Sequence, residues 1–391
     1  MKARILTRTI LLVSFVSLFT DVASEMLYPV MPVYLRSIGF SVLLIGILEG
    51  IAEAVAGLSK GYFGQSSDSL QKRLPFVRAG YSLSALSKPM MAVLTWPWWI
   101  FLARTMDRLG KGIRTGARDA ILSDETTPEH KGKVFGFHRS MDTVGAAIGP
   151  FLALVYLWFY PGEYKMLFLL AFFPGLIAIG LTFFLKEKKP EVKASVARPG
   201  FLSYLKYWNR SAVSYRYLVA GMLLFTLFNS SDAFLLLAIK EKHVSDSGMI
   251  SMYIFYNLVY ALASYPLGIL ADRIGLKTML VCGLFLFAGV YLNFGFAASV
   301  TGFLLLFFFY GVYAASTEGI SKALISNIAV KTDTATAIGF YTSFASVFSL
   351  LSSSIAGVLW FTLGMKMMFM VSGAGVLLVG IYFLIIRKKL G

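Results

Sequence analysis

Apolar residues run in long blocks along this chain, near 9–33, 42–63, 76–95, 97–117, 134–159 and 164–185. They do so again near 217–239, 248–271, 276–297, 301–325, 336–361 and 365–386. Each block supplies about the twenty residues a helix needs to cross the hydrocarbon of a bilayer. Short polar loops separate the blocks, and one longer polar stretch, Lys186 to Arg216, stands between the sixth and the seventh. The pattern predicts an all-α membrane protein of twelve transmembrane helices. They form an N-terminal six-helix bundle (1–185), a cytoplasmic linker (186–216) and a C-terminal six-helix bundle (217–391). A cleaved signal peptide is the competing reading of the first block, because Lys2, Arg4 and Arg8 precede it and Val22-Ala23-Ser24 has the character of a cleavage site. Asp21 interrupts the smooth apolar core that such a peptide needs, and the block continues through Met26 to Val33. Residues 9–33 are therefore read as one retained helix.

Composition agrees with this pattern. Of 391 residues, 57% are hydrophobic and 14% charged, too little charge to cover a soluble surface. The formal net charge of +16 raises nucleic acid as a partner. The basic residues sit between apolar blocks, however, where cytoplasmic loops carry them, so a lipid bilayer is the expected partner and nucleic acid is not. Lys72 and Arg73, Lys131 and Lys133, the linker residues Lys188, Lys189, Lys193, Arg198, Lys206 and Arg210, Arg273 and Lys277, and Arg387-Lys388-Lys389 share one side with Lys2, Arg4 and Arg8. The other side offers Arg36, Lys165, Lys240, Lys242 and Lys366. Both termini are expected in the cytoplasm of a cell bounded by a bacterial-type inner membrane. The single cysteine, Cys282, permits no intrachain disulfide.

The second half repeats the first. Gly64-Gln-Ser-Ser-Asp68, followed by Lys72-Arg73, returns as Gly268-Ile-Leu-Ala-Asp272-Arg273-Ile-Gly275-Leu-Lys277. The pairs Gly64 and Gly268, Asp68 and Asp272, and Arg73 and Lys277 each lie 204 residues apart. Gly136-Phe137 returns as Gly339-Phe340 after 203 residues. Two similar halves around a central site are what alternating access requires. The pattern Gly-x-x-x-Asp-Arg-x-Gly-x-Lys at 268–277 resembles the loop signature of the major facilitator superfamily, and the copy at 64–73 is a degenerate version of it. Gly145-Ala-Ala-Ile-Gly149-Pro150 resembles a motif of drug:proton antiporters, although the glycines that trail that motif are absent. The resemblance implies two pseudo-symmetric six-helix bundles and a gating role for Gly64, Asp68, Arg73, Gly145, Gly149, Pro150, Gly268, Asp272, Arg273 and Lys277. Asp68 and Asp272 would each latch onto a neighbouring helix N-terminus or onto an arginine of the fourth span such as Arg118.

Charges within spans cost about 2.5–3.5 kcal/mol each at a helix centre, so each calls for a reason. They concentrate in the first half. Asp21 and Glu25, and Glu49 and Glu53, are i, i+4 pairs on single helix faces. Arg104, Asp107, Arg108, Lys111, Arg114 and Arg118 occupy less than half the circumference of the fourth span. His138, Arg139 and Asp142 follow on the fifth. The bland reading, buried ion pairs that fix packing, suits the residues near helix ends: Arg114, Arg118, Asp119 and Arg139. A deep carboxylate beside an arginine is also a proton switch, because desolvation favours its neutral form and the cation its charged form. Asp21 or Glu25, with Arg104, Asp107 and Arg108, are the proton-coupling candidates. Acids in the first span and a basic residue in the fourth are similar to the arrangement in some drug:proton antiporters. Glu49, Glu53, Lys111 and Asp142 could serve an ion or the substrate.

The second half offers amides, hydroxyls and aromatics instead: Asn229 and Asp232, then Tyr256 and Asn257, with Glu318 and Lys322 spaced as an ion pair. The first half is expected to handle protons and the second to shape a pocket for an amphipathic solute. No nucleotide-binding Gly-x-x-x-x-Gly-Lys run occurs, His130, His138 and His243 are dispersed, and no metal, cofactor or catalytic residue is expected. The expected function is secondary active transport by a monomer, with proton-coupled export of a small organic solute foremost. Uptake of an anionic solute, an organic acid or iron chelate, coupled to protons or another cation, is the alternative. A transporter-like receptor or a lipid translocase represents a different class.

Overall fold

The computed structural model describes residues 5–28, 30–187, 199–242, 244 and 246–386. Lys188, Lys189, Lys193, Arg198, His243 and the basic residues at both termini named above, Lys2, Arg4 and Arg387 to Lys389, lie outside the described residues. The helices are α1 (Arg8–Glu25), α2 (Met31–Ser37), α3 (Val42–Leu70), α4 (Leu74–Val93), α5 (Pro97–Asp124), α6 (Lys131–Phe159) and α7 (Tyr164–Thr182). After the short α8 (Tyr207–Arg210) come α9 (Val213–Phe228), α10 (Ala233–Glu241), α11 (Asp246–Ile274), α12 (Leu276–Phe294), α13 (Val300–Ile328), α14 (Thr334–Leu363) and α15 (Met365–Ile386). Counting α1 with α2 and α9 with α10, the described residues make twelve helical passes. Eight of them, α6, α7, α9 with α10, and α11 to α15, are long and apolar enough to cross a membrane by length and composition. The other four carry most of the buried charge.

Two passes differ from the sequence expectation. The first is not one helix over 9–33: α1 stops at Glu25, and α2 begins anew with a proline in its first turn, where a missing N–H costs nothing. The seventh breaks at Asn229, whose backbone leaves the helical region (φ −92°, ψ 89°). Its free groups find side chains: Ser231 N donates to Ser353 Oγ at 3.3 Å, and Ala233 N donates to Ser231 Oγ at 3.3 Å. Irregular backbone at membrane depth persists only where such partners exist.

Two compact units result, one of residues 1–126, 141–207 and 330–343 and the other of residues 127–140, 208–329 and 344–391. They follow the two halves of the sequence, except that the opening turns of α6 belong to the second unit and those of α14 to the first. In the first unit α5 packs on α3 and α4, and α7 packs on α4 and α1. In the second α13 packs on α11 and α12, and α15 packs on α12 and α9. The repeat seen in the sequence is thus a repeat of packing. The core is apolar, and so is much of the surface. Trp98, Trp158, Phe361 and Ile385 are exposed while Ser17, Lys88 and Asp119 are buried, as expected where the outer solvent is lipid.

Candidate functional site

The first unit holds a chain of charges along α5. Arg104 grips Glu49 of α3 with two bonds, Nε to Oε1 at 2.7 Å and Nη2 to Oε2 at 3.0 Å, a paired geometry that only a guanidinium offers. Its Nη1 also lies 3.5 Å from Asp107 Oδ2, one turn along α5. Asp107 Oδ1 accepts from Lys88 Nζ of α4 at 2.7 Å, and both side chains are buried. Arg108 stands 3.7 Å from Glu49 and 3.8 Å from Glu53. Further along, Arg114 Nη1 donates to Ser84 Oγ at 2.6 Å and its guanidinium lies over the Tyr81 ring at 4.6 Å. Arg118 pairs with the adjacent Asp119 at 2.9 Å and reaches Ser17 of α1, so it is not the partner of Asp68.

Three charged groups in this network stand apart. Among the described residues the side chains of Asp21, Glu25 and Lys111 make no hydrogen bond or salt bridge. The charges that bear on Asp21 are those of Asp142, Glu25, Lys111 and Arg114, and those that bear on Lys111 are Arg108, Glu53, Asp21 and Glu25. Both acids line the seam where α6 meets α1. A Cβ on Gly145 would sit 2.5 Å from Leu18 O and 3.0 Å from the Asp21 Cβ; one on Gly149 would sit 2.7 Å from Val22 O and from Met26 N. Pro150 follows inside α6. Only glycine permits this approach.

The loop signatures cap helices. Asp272, at the end of α11, accepts from Gly132 N at 2.7 Å and Lys133 N at 2.8 Å, the free donors at the start of α6. Asp68, at the end of α3, accepts from Ala335 N at 3.3 Å and from both Thr336 N and Thr336 Oγ1 at 2.6 Å, at the start of α14. Arg73 closes onto Asp68 and stands 3.8 Å from Asp124. Residues 132 and 335 are 203 apart, so the two caps are images under the sequence repeat. A Cβ on Gly64 would lie 2.4 Å from Ala335 O, and one on Gly268 would lie 2.4 Å from Gly132 O. Arg273 is exposed, and Lys277 stands at the rim of an apolar groove of about 240 Å³ that also includes Cys282 and Phe383.

The second unit gathers aromatic rings. Tyr310 Oη donates to Asp232 Oδ1 at 2.7 Å, Asn229 Nδ2 to Tyr313 Oη at 3.2 Å, and Ser230 Oγ lies 3.2 Å from Tyr291 Oη. Tyr256 and Tyr310 have ring centroids 5.0 Å apart, and Tyr310 and Tyr313 5.2 Å. Asn257 Nδ2 turns back to the Tyr253 carbonyl at 3.0 Å. Glu318 pairs with Arg139, which stacks on Tyr260. Lys322 lies one turn beyond Glu318 on α13. Sequence reading had missed Lys88, Tyr291, Tyr310 and Tyr313. A lysine inside an apolar block was the signal for the first, and the i, i+3 tyrosines of α13 for the last two.

Twelve helical passes in two repeated units, with charges and amides gathered inside them, are the architecture of a multi-pass membrane transporter. The chain matches the model of the Major Facilitator Superfamily over residues 13–255 and 217–390, and it belongs to that family. It is 33% identical over 364 residues to an uncharacterised transporter of the superfamily from Methanocaldococcus jannaschii, covering 91% of this chain and 89% of that one. A multidrug resistance protein, MdtH of Photorhabdus laumondii, is 28% identical over 133 residues, 34% of this chain and 32% of that one. In fold the chain is similar to the human organic anion transporter MFSD10 (TM-score 0.83, 17% identity, covering 96% and 99%). It is also similar to the E. coli fucose:proton symporter (TM-score 0.78, 12% identity, covering 98% and 99%). Members of this family bind small-molecule substrates within the membrane.

Proposed function

We propose that this chain exports a small organic solute in exchange for protons, with Asp21 and Glu25 as the carriers. One observation carries the reading: Glu49, Glu53 and Asp107 each have a cation within salt-bridge distance, whereas among the described residues the side chains of Asp21 and Glu25 have none. A paired carboxylate must give up a salt bridge to accept a proton, and breaking a buried pair costs about 3–5 kcal/mol. An unpaired one can load and unload without disturbing the architecture, while Lys111 sets the potential it feels. Arg104 and Arg108, held by Glu49 and Glu53, then serve as a fixed positive frame. The similarity to MdtH, confined to a third of the chain, favours export in the same measure. The two helix caps supply the gate: the opening turns of α6 and α14 must leave Asp272 and Asp68 when the basic-loop side opens, and the excess of basic residues supports reading that side as cytoplasmic.

The test is proton release from purified protein in weakly buffered detergent solution on addition of candidate compounds. Wild type should release protons; Asp21→Asn or Glu25→Gln should abolish release while still binding the compound. Release that persists in both variants would refute the assignment. A second reading, uptake of an anion with a proton, is favoured by the unpaired Lys111. It predicts the opposite sign, proton uptake on adding an organic acid, lost in Lys111→Met.

A further inference from the structure

We infer that the second unit contains a seat for a lipophilic organic cation, formed by the Asp232 carboxylate and the ring faces of Tyr310, Tyr256 and Tyr291 at the break between α9 and α10. The inference names the substrate class for the exporter reading above and rests on that reading only for its transport role. Asp232 occupies the N-cap position of α10, where an aspartate ordinarily turns back to bind the helix's free N–H groups. Here its side chain makes no such bond. It turns aside to accept from Tyr310 Oη at 2.7 Å, and among the described residues its Oδ2 has no hydrogen-bond partner. The charge that bears on it is a second carboxylate, Glu318, of the same sign. Arg139 belongs to Glu318. An acid in this setting lacks a counter-ion, and a ligand can supply one.

The surroundings select the kind of cation. Tyr260, Tyr256 and Tyr310 form a row, with centroids 6.1 Å apart between the first two and 5.0 Å between the second two. Tyr291 lies 6.3 Å from Tyr310. One end of the row already takes a cation: the Arg139 guanidinium lies 5.1 Å from the Tyr260 centroid. The other end, at Asp232, offers ring faces with a carboxylate and, among the described residues, no cation paired to it. A hard metal ion needs six or more oxygen ligands and favours carboxylates, and among the described residues no group of three or more acidic, histidine or cysteine side chains could hold one. A delocalised or alkylated cation gains from both the carboxylate and the ring quadrupoles. Asn229 Oδ1, buried without a partner beside Tyr313, is a ready acceptor for an N–H of a protonated amine.

The experiment compares binding of tetraphenylphosphonium and its isosteric anion tetraphenylborate to purified protein by equilibrium dialysis. Wild type should bind the phosphonium in preference to the borate. Asp232→Asn should weaken phosphonium binding by roughly tenfold or more, and Tyr310→Leu by roughly threefold to thirtyfold. Tyr310→Phe, which keeps the ring and removes only the hydroxyl bonded to Asp232, should bind the phosphonium more tightly than Tyr310→Leu, and Gly180→Val, at a position with nothing within 4 Å, should bind as wild type does. Asp21→Asn should retain phosphonium binding, which separates this seat from the proton carriers. Preference for the borate, undiminished phosphonium binding by folded Asp232→Asn, or loss in Asp21→Asn with none in Asp232→Asn would each overturn the inference. Competition by sodium at millimolar levels would replace it with a metal site.

Discussion

Replacing Asp68 by asparagine tests the gate, and the structure sets the size of the effect. Asp68 is buried and accepts from Ala335 N, Thr336 N and Thr336 Oγ1 while Arg73 neutralises it. Asparagine keeps the two Thr336 bonds, but as neutral ones, and turns an amide toward Arg73 and the Ala335 N–H. A charge-assisted bond is worth about 1.5–3 kcal/mol against about 0.5–1.5 for a neutral one, and the carboxylate's interaction with the helix terminus adds about 0.3–1 kcal/mol. The loss is about 3 kcal/mol, or roughly a hundredfold in the population with α14 detached. Asp272 makes two backbone bonds, is not fully buried and has no arginine closing on it. Its neutralisation should cost about 1.5 kcal/mol, roughly tenfold. The assay is maleimide labelling in a Cys282→Ser background, since Cys282 is exposed. Ser343→Cys reports on α14 and Ser264→Cys on α11 beneath α6; both positions are buried. Asp68→Asn should speed labelling at 343 by about ten times more than Asp272→Asn speeds it at 264. Unchanged labelling at 343 in folded Asp68→Asn, or the reverse order of the two effects, would refute the reasoning.

Two further substitutions follow from the packing. Lys88→Met strands the buried Asp107 carboxylate beside Arg104 and should lower stability by about 3–5 kcal/mol, seen as a lower melting temperature of the purified protein. Lys88→Met combined with Asp107→Leu should recover most of that loss, and failure to recover would mean that the pair does more than neutralise itself. Gly145→Val puts side-chain atoms against the Leu18 carbonyl, 2.5 Å from its Cβ, and should abolish proton release; Gly180→Val, with nothing within 4 Å, should behave as wild type in the same assay.

The repeat was the most legible feature. Glycine and aspartate at fixed offsets announced both caps, because a close helix crossing tolerates little else and a helix N-terminus calls for an acceptor. The i, i+4 acids of α1 and α3 and the basic stripe of α5 were equally visible as charges where apolar residues belong. Which acid met which cation was not, since residues as distant as Glu49 and Arg104 are joined only by tertiary packing. Lys88 escaped notice because Ser87-Lys88-Pro89 has the composition of a turn, and a single lysine barely lowers the hydropathy of its block. The helix breaks were hidden for a different reason. Residues 9–33 stay largely apolar through the break, and in 217–239 the polar run Asn229-Ser230-Ser231-Asp232 read as candidate ligands within one span, not as an interruption of it. Glu318 was read with Lys322 on spacing alone, whereas the structure brings Arg139 of α6 to it.

Aligning the two units by their repeat shows how differently equivalent positions are filled. Glu49 and Glu53 of α3 correspond to Tyr253 and Asn257 of α11, 204 residues on, and Asp107 of α5 corresponds to Tyr310 of α13, 203 residues on. Where the first unit has carboxylates held by Arg104, Arg108 and Lys88, the second has phenols and an amide. An ionic network with matched partners resists rearrangement, because each broken contact leaves a charge in a low-dielectric interior. Aromatic faces lose little when a ligand replaces one neighbour with another, and every ring accepts a cation. The break after α9 then puts Asp232 among those rings, while the break after α1 follows Asp21 and Glu25 at the glycine seam. One architecture thus presents a carboxylate at equivalent interruptions, beside a lysine in one unit and beside tyrosines in the other. The first setting suits exchange of a proton, which needs a nearby charge to tune it. The second suits exchange of an organic cation, which needs apolar surface as well as charge. On the proposed export reading the two settings serve one exchange, the proton at the glycine seam of the first unit and the organic cation among the rings of the second.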